Sequence, residues 1–289
     1  MSTPSRTILV TGANTGIGAA AAEALAAPGV RLVLACRSRA KTEPVLARLR
    51  AKGAEASFLE LDLADLAAAE AAGRAFARAH DTLDVLVNNA GLAGQRGLTK
   101  DGFELAFGVN HLGHVAFTRP LLPLLDAARG RVVVVSSGNH KKAKSIPWSA
   151  LRRPTASTTG LAEYGVSKLA NVLFAAELRR RHPSLGVVSL NPGRIASDIW
   201  RSVPGFARPL VVAALCMRPV AFGGDTIVHA VDVPLGEGAP LYFDKKVATP
   251  ENPLALDTGL AARLWDYSER AVDAAVAAKA EPAAHQASL

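Results

Sequence analysis

Thr7-Ile-Leu-Val-Thr11 is a short β-branched, apolar run, and Gly12-Ala-Asn-Thr-Gly16-Ile-Gly18 follows it at once. An alanine-rich segment to Ala27 comes next. The order strand, glycine turn, helix restricts the chain more than any other stretch, because the turn must bring backbone close to something. Glycines permit that approach, and the helix start supplies N–H donors and the positive end of a dipole, a cradle for a pyrophosphate. An ordinary βα turn could share the glycines, but the spacing TGxxxGxG is more specific than GxG.

The rest of the chain repeats this alternation of strand and helix patterns, so the expected class is α/β, with a doubly wound parallel sheet in one Rossmann-type domain over 1–289. Strands are predicted at Val30–Cys36, Ala56–Leu61, Leu83–Val87, Arg131–Ser137, Leu185–Leu190 and Pro240–Phe243. Helices are predicted from about Thr42 to Lys52, Phe103 to Leu125, Val220 to Val231 and Leu260 to Ala277, the last within a C-terminal helix and tail over 252–289. Residues 194–219, rich in Pro, Gly and Arg, read as a lid-like insertion.

Composition removes several classes. Hydrophobic residues make up 49% of the chain and aromatic ones 5%, so the core is aliphatic and alanine-rich. The most apolar late run, Leu210 to Met217, is too short to span a bilayer, and the N-terminus lacks a signal-peptide pattern. No stable membrane insertion is expected. Cys36 and Cys216, far apart, make neither a disulfide framework nor a metal pattern, which suits a reducing cytoplasm. The formal net charge is +8, and no Asp or Glu falls between Ala127 and Ala162. No nucleic-acid motif accompanies that charge, so nucleic acid is not expected as a partner.

The ends of the strands carry the candidate residues. Strand two closes on Arg37, with Arg39 and Lys41 just beyond, where a fold selective for NAD usually places an acid for the ribose 2′-hydroxyl. Basic residues there suit a 2′-phosphate, which favours NADP(H). Strand three delivers Asp62-Leu63, positioned to contact an adenine ring or to cap a helix. Strand four ends in Asn88-Asn89-Ala90-Gly91. Asn110 is a polar residue inside a helical pattern, Ser136 and Ser137 end strand five, and Pro192-Gly193 follow strand six.

Tyr164 and Lys168 stand at i and i+4 of one helix, which places a phenol and an ammonium side by side. A free phenol has a pKa of about 10. A neighbouring cation is expected to lower it and to bring Tyr164 into range as a general acid or base.

Taken together, Thr11-Gly-x-x-x-Gly-Ile-Gly18, Asp62, Asn88-Asn-Ala-Gly91, Asn110, Ser137, Tyr164-x-x-x-Lys168 and Pro192-Gly193 resemble the short-chain dehydrogenase/reductase family over nearly the whole chain. Ala35-Cys-Arg37, Val109-Asn-His-Leu-Gly113, Ser136-Ser-x-x-His140 and Ser167-Lys-Leu-Ala-Asn171 look like its retinol-dehydrogenase-like branch. The resemblance implies a strand order 3-2-1-4-5-6-7 and reduction of lipophilic carbonyl compounds with NADPH. It further implies that Tyr164 donates a proton to the carbonyl oxygen and Ser137 hydrogen-bonds that oxygen. Lys168 would grip the nicotinamide ribose, and Asn110 would hold a water in a proton relay. The dinucleotide would be held by Gly12, Asn14, Thr15, Gly16, Ile17, Gly18, Arg37, Asp62, Leu63, Asn89, Ala90, Gly91, Tyr164, Lys168, Pro192, Gly193 and Ile195. Alcohol oxidation by the same site and a non-catalytic dinucleotide sensor are the alternatives.

The segment Gly138–Gly160 and the 194–219 insertion both leave the same strand ends, so both are expected to wall the substrate pocket. Ile146, Trp148, Ile199, Trp200, Val203, Phe206 and Leu210 would give it apolar surface for a bulky, hydrophobic carbonyl compound or alcohol. Lys141, Lys142, Lys144, Arg152, Arg153, Arg201 and Arg208 would form a basic rim, suited to an anionic or carrier-bound substrate. A homo-oligomer remains open.

Overall fold

The computed structural model describes residues 6–195, 217–236 and 238–286. Eight strands form one sheet in the order β3-β2-β1-β4-β5-β6-β7-β8. They are β1 (Arg6–Thr11), β2 (Val30–Cys36), β3 (Glu55–Glu60), β4 (Val85–Asn88), β5 (Arg131–Val135), β6 (Gly186–Asn191), β7 (Tyr242–Asp244) and β8 (Val247–Ala248). The first seven are parallel, as expected, and β8 is a two-residue antiparallel edge that the sequence pattern did not reveal. It exists because Lys245, at φ 60°, turns the chain back on β7.

Alternating strand residues feed two cores. Leu9, Val33, Leu86, Val132 and Val187 face one side. There they meet α3 (Leu66–Ala79), α4 (105–128), α5 (Leu161–Arg181) and α7 (Thr258–Gln286). Ile8, Val10, Leu32, Leu34, Val133 and Val188 face the other side. That face is covered by α1 (Gly16–Leu25), α2 (Arg39–Ala51) and α6 (Val220–Asp232). Two apolar faces per strand explain the near-continuous hydrophobic runs. The alanines of α1 matter for closeness: a Cβ added at Gly224 of α6 would come within 2.8 Å of Ala20 Cβ.

The pattern from Phe103 to Leu125 is a helix, but not a regular one. Within α4 a π turn spans Gly108–Leu112 and a 3₁₀ turn spans Arg119–Leu121. Pro120 lacks the N–H an α-turn needs there. Asn110 lies inside the π turn, and its side-chain amide is bonded to Leu92 across the layer. Single π turns of this kind recur at functional sites.

The sheet topology places the site. From β1 the chain runs outward through β2 to β3, then crosses to β4 on the other side of β1. A crevice must open at the carboxyl ends of β1 and β4, where the two windings part. Of the 194–219 insertion, only the two ends belong to the described residues. They are held together: Arg218 N–H donates to Arg194 O at 2.8 Å, and Ile195 bridges Arg218. Among the described residues no helix is long and apolar enough to cross a membrane.

Candidate active site

A crevice of about 820 Å³ lies at that switch point. Its floor is the glycine loop. Gly12 has φ 66°, and a Cβ there would sit 2.8 Å from Ala90 Cα; one at Gly18 would sit 2.4 Å from Asn89 Nδ2. Only glycine satisfies both demands, so loop and β4 end close on each other with backbone facing the cavity. Thr11 ties them together. Its hydroxyl accepts the N–H groups of Asn89 and Ala90, both at 2.9 Å, while Asn89 Nδ2 donates to Thr11 O at 2.8 Å.

Thr11 also fixes a buried histidine. His114 Nδ1 lies 3.0 Å from Asn110 O, which only accepts, so Nδ1 carries the hydrogen. Burial holds the His114 imidazole down to about 4, so it is neutral and its Nε2 accepts from the Thr11 hydroxyl at 3.0 Å.

Gly12, Asn14, Thr15, Gly16, Ile17, Gly18, Arg37, Asp62, Leu63, Asn89, Ala90, Gly91, Tyr164, Lys168 and Pro192 all line the crevice. Gly193 and Ile195 do not. Gly193, at φ 93°, carries the chain past Asn191, and Ile195 is buried against Gly223 of α6. Asn110 is fully buried. Its amide is spent on Leu92, at 2.8 and 3.0 Å, and on the Ser167 hydroxyl at 2.9 Å.

At the β2 end of the crevice the structure sorts the basic residues. Arg37, Ser38 and Lys41 line it. Arg39 instead stacks on the Phe58 ring at 4.6 Å. Across from them, Lys100 pairs with Asp62 at 2.9 Å. Burial alone would raise the Asp62 carboxyl, but that pairing and the Ala64 N–H outweigh it and hold it below its ordinary value.

The head of the crevice is built by β5 and α5. Lys168 Nζ donates to Val135 O at 2.9 Å, and a Cβ on Gly91 would lie 3.5 Å from it. The two serines part company here: Ser136 donates its hydroxyl to Lys168 O at 2.8 Å, whereas the Ser137 hydroxyl is hydrogen-bonded to the Tyr164 phenol. Ser137 is therefore the serine beside the tyrosine.

The expectation that Lys168 lowers the Tyr164 pKa is corrected. Burial raises the Tyr164 phenol, and the Ser137 bond offsets only part of that rise. Burial also pulls Lys168 down to about 7. The i, i+4 argument counted the cation and not the loss of water around both groups. The Lys168 ammonium stands 5.7 Å from the Tyr164 ring centroid, turned to Val135.

A second expectation is also corrected. Ile146 is buried in the core, and Trp148 packs on Tyr267 of α7 and under Arg263, so neither lines the crevice. Thr155 pins this segment inward, through Gly97 N at 3.1 Å and Glu104 Oε1 at 2.5 Å. The apolar wall comes from Leu92, Leu105 and Val109, with Gln95 at its edge. Sequence reasoning missed these four, because α-helical spacing assigns Leu105 and Val109 to the core. Ile199, Trp200, Val203, Phe206, Leu210, Arg201 and Arg208 lie outside the described residues.

The short chain dehydrogenase family profile matches residues 6–205. The chain belongs to the short-chain dehydrogenase/reductase family. Human dehydrogenase/reductase SDR family member 13 is 39% identical over 96% of this chain and 76% of its own. Mouse retinol dehydrogenase 14 is 36% identical over 91% of this chain and 85% of its own, which sets the chain in the retinol-dehydrogenase-like branch. A Streptomyces protein described as a putative daunorubicin C-13 ketoreductase is 34% identical over 93% of both chains. Among solved structures, an uncharacterised protein from Mycobacterium paratuberculosis superposes with a TM-score of 0.73 at 32% identity, over 93% of this chain and 94% of its own. Short-chain dehydrogenases bind a nicotinamide cofactor, and the glycine cradle fits one.

Proposed function

We propose that this short-chain dehydrogenase/reductase is an NADPH-dependent reductase of bulky, hydrophobic ketones or aldehydes. The observation that carries the reading is the Tyr164 phenol, which lines the head of the crevice with Lys168 and is hydrogen-bonded to the Ser137 hydroxyl behind it. Bound in the cradle, the dinucleotide supplies hydride. The chain's own part is to receive the negative charge that hydride transfer builds on the carbonyl oxygen, and the Tyr164 hydroxyl with Ser137 beside it is suited to that. A phenol held above its ordinary value keeps its proton at neutral pH, so Tyr164 is in the state that donates. Lys168, near 7, can exchange a proton in the same range. Holding a water of the relay would fall to the Asn110 backbone carbonyl, since its side chain is spent on Leu92 and Ser167. Leu92, Leu105 and Val109 supply the apolar surface such a substrate needs.

The test is a panel of medium-chain aldehydes, an aromatic aldehyde, retinaldehyde and a polycyclic ketone, followed at the nicotinamide absorbance with NADPH and with NADH. Turnover with NADPH is expected for the larger apolar compounds. Tight NADPH binding without turnover of any of them would favour a dinucleotide sensor.

Arg37 and Lys41 carry the cofactor choice. Arg37→Asp places a carboxylate where the 2′-phosphate would lie, so the ratio of kcat/KM for NADPH over NADH should fall by at least ~100-fold. A wild-type preference for NADH would remove this argument. Lys141, Lys142 and Lys144 come shortly after Ser137 in the chain, and all three are exposed. For an anionic carbonyl substrate, kcat/KM should fall more steeply with added salt than for a neutral one of equal size. Equal slopes would leave only the apolar part of the reading.

A further inference from the structure

We propose that His140 is a positioning residue for Ser137, and that Asn252 locks its ring in the one tautomer that serves this purpose. The inference rests on the reading of Ser137 as the hydroxyl that receives the substrate oxygen.

His140 is fully buried, three residues beyond Ser137, in the 3₁₀ turn Gly138–Lys142. Its Nδ1 lies 2.7 Å from Ser137 O, which can only accept, so Nδ1 carries the hydrogen. Its Nε2 lies 3.1 Å from the backbone N–H of Asn252, which can only donate, so Nε2 is bare. One neutral tautomer satisfies both contacts and every other ring state breaks one of them. The Asn252 side chain closes the loop from the far side, donating to His140 O and Ala143 O, both at 2.9 Å. The Tyr242 ring, 4.7 Å away and tilted by 55°, covers the imidazole. The His140 backbone N–H reaches the same Ser137 carbonyl at 3.0 Å.

Two donors on one carbonyl fix the Ser137 peptide plane and with it the direction of the hydroxyl toward Tyr164. The turn also lies hard against α5, since a Cβ on Gly165 would come 3.1 Å from Asn139 O. A displacement of about 1 Å at a reacting group can cost on the order of 100-fold in rate, so so firm a hold on one hydroxyl has catalytic value.

A buried histidine that only supports the fold would give the same contacts, and a double-mutant cycle separates the two roles. The rate read is kcat with NADPH and whichever carbonyl compound of the panel turns over fastest. His140→Ala should lower kcat about 10-fold in the wild type with dinucleotide affinity unchanged, and less than about 2-fold in the Ser137→Ala background. His140→Asn can still donate from near the Nδ1 position while losing Asn252, and should recover most of kcat. His140→Gln keeps an acceptor for Asn252 and loses the donor to Ser137, and should stay slow; this variant replaces His140→Ala in the cycle if the latter does not fold. Equal losses in both backgrounds, or a faster His140→Gln than His140→Asn, would overturn the proposal while leaving Ser137 its role. An unchanged kcat in Ser137→Ala alone would instead overturn the reading on which it rests.

Discussion

Tyr164→Phe should bind NADPH as the wild type does and turn over carbonyl compounds at least ~100-fold more slowly. The ring is almost fully buried, so phenylalanine keeps its packing beside Lys168. What is lost is the hydroxyl that bonds Ser137 and holds the transferable proton. Because the phenol lies above its ordinary value, it is fully protonated across the neutral range, and the wild-type reduction rate should not fall between pH 6 and 8 through loss of this group. Single-turnover kinetics at saturating substrate would isolate the step. Turnover within about 3-fold of wild type would place the proton donor elsewhere.

The second large effect is a trade. Lys168→Met should lower kcat by at least ~100-fold and at the same time stabilise the cofactor-free protein below neutral pH. Lys168 is 2% exposed and held down to about 7 by burial. Below pH 7 it is charged in both folded and unfolded chains, so the folded chain bears the full cost of the buried cation. Between about 7 and its ordinary value near 10.5 the folded chain has released the proton and the unfolded chain has not, so stability climbs with pH. Above that range both states are neutral. The gain from methionine is therefore largest at pH 6 and shrinks toward pH 10. Removing the ammonium does not orphan its acceptor, since Asn171 Nδ2 also reaches Val135 O, at 3.3 Å. Urea melts at pH 6, 8 and 10 would show it. A variant less stable than wild type at pH 6, or a difference that does not narrow with pH, would contradict the argument.

What was legible in the sequence was local or periodic. The glycine loop announces its conformation because Gly12 and Gly18 leave no room for a side chain, and Tyr164 and Lys168 share a helix face by spacing alone. The strand order rested on resemblance and is borne out. What escaped depends on contacts between distant residues. Which of Arg37, Arg39 and Lys41 faces the crevice is decided by Phe58, on the neighbouring strand, which draws Arg39 away. Trp148 looks like pocket lining until Tyr267 and Arg263 of α7 are in place around it. The choice between Ser136 and Ser137 turns on one hydrogen bond to the α5 backbone. The direction of the Tyr164 shift required knowing how deeply both partners are buried, a property no pair spacing contains.

The clasp between Arg194 and Arg218 has a meaning for how such a chain diversifies. Both ends of the intervening stretch are fastened to the same point beside β6 and α6, so the cost of closing it is already met by the scaffold. In general, doubling the length of a flexible segment between two fixed ends costs only about 0.6 kcal/mol of chain entropy. A change of chain length between positions 195 and 217 should then leave Ser137, Tyr164 and Lys168 where β5 and α5 hold them. A graft spliced between positions 195 and 217 is therefore the natural unit for redesign that leaves those three residues untouched.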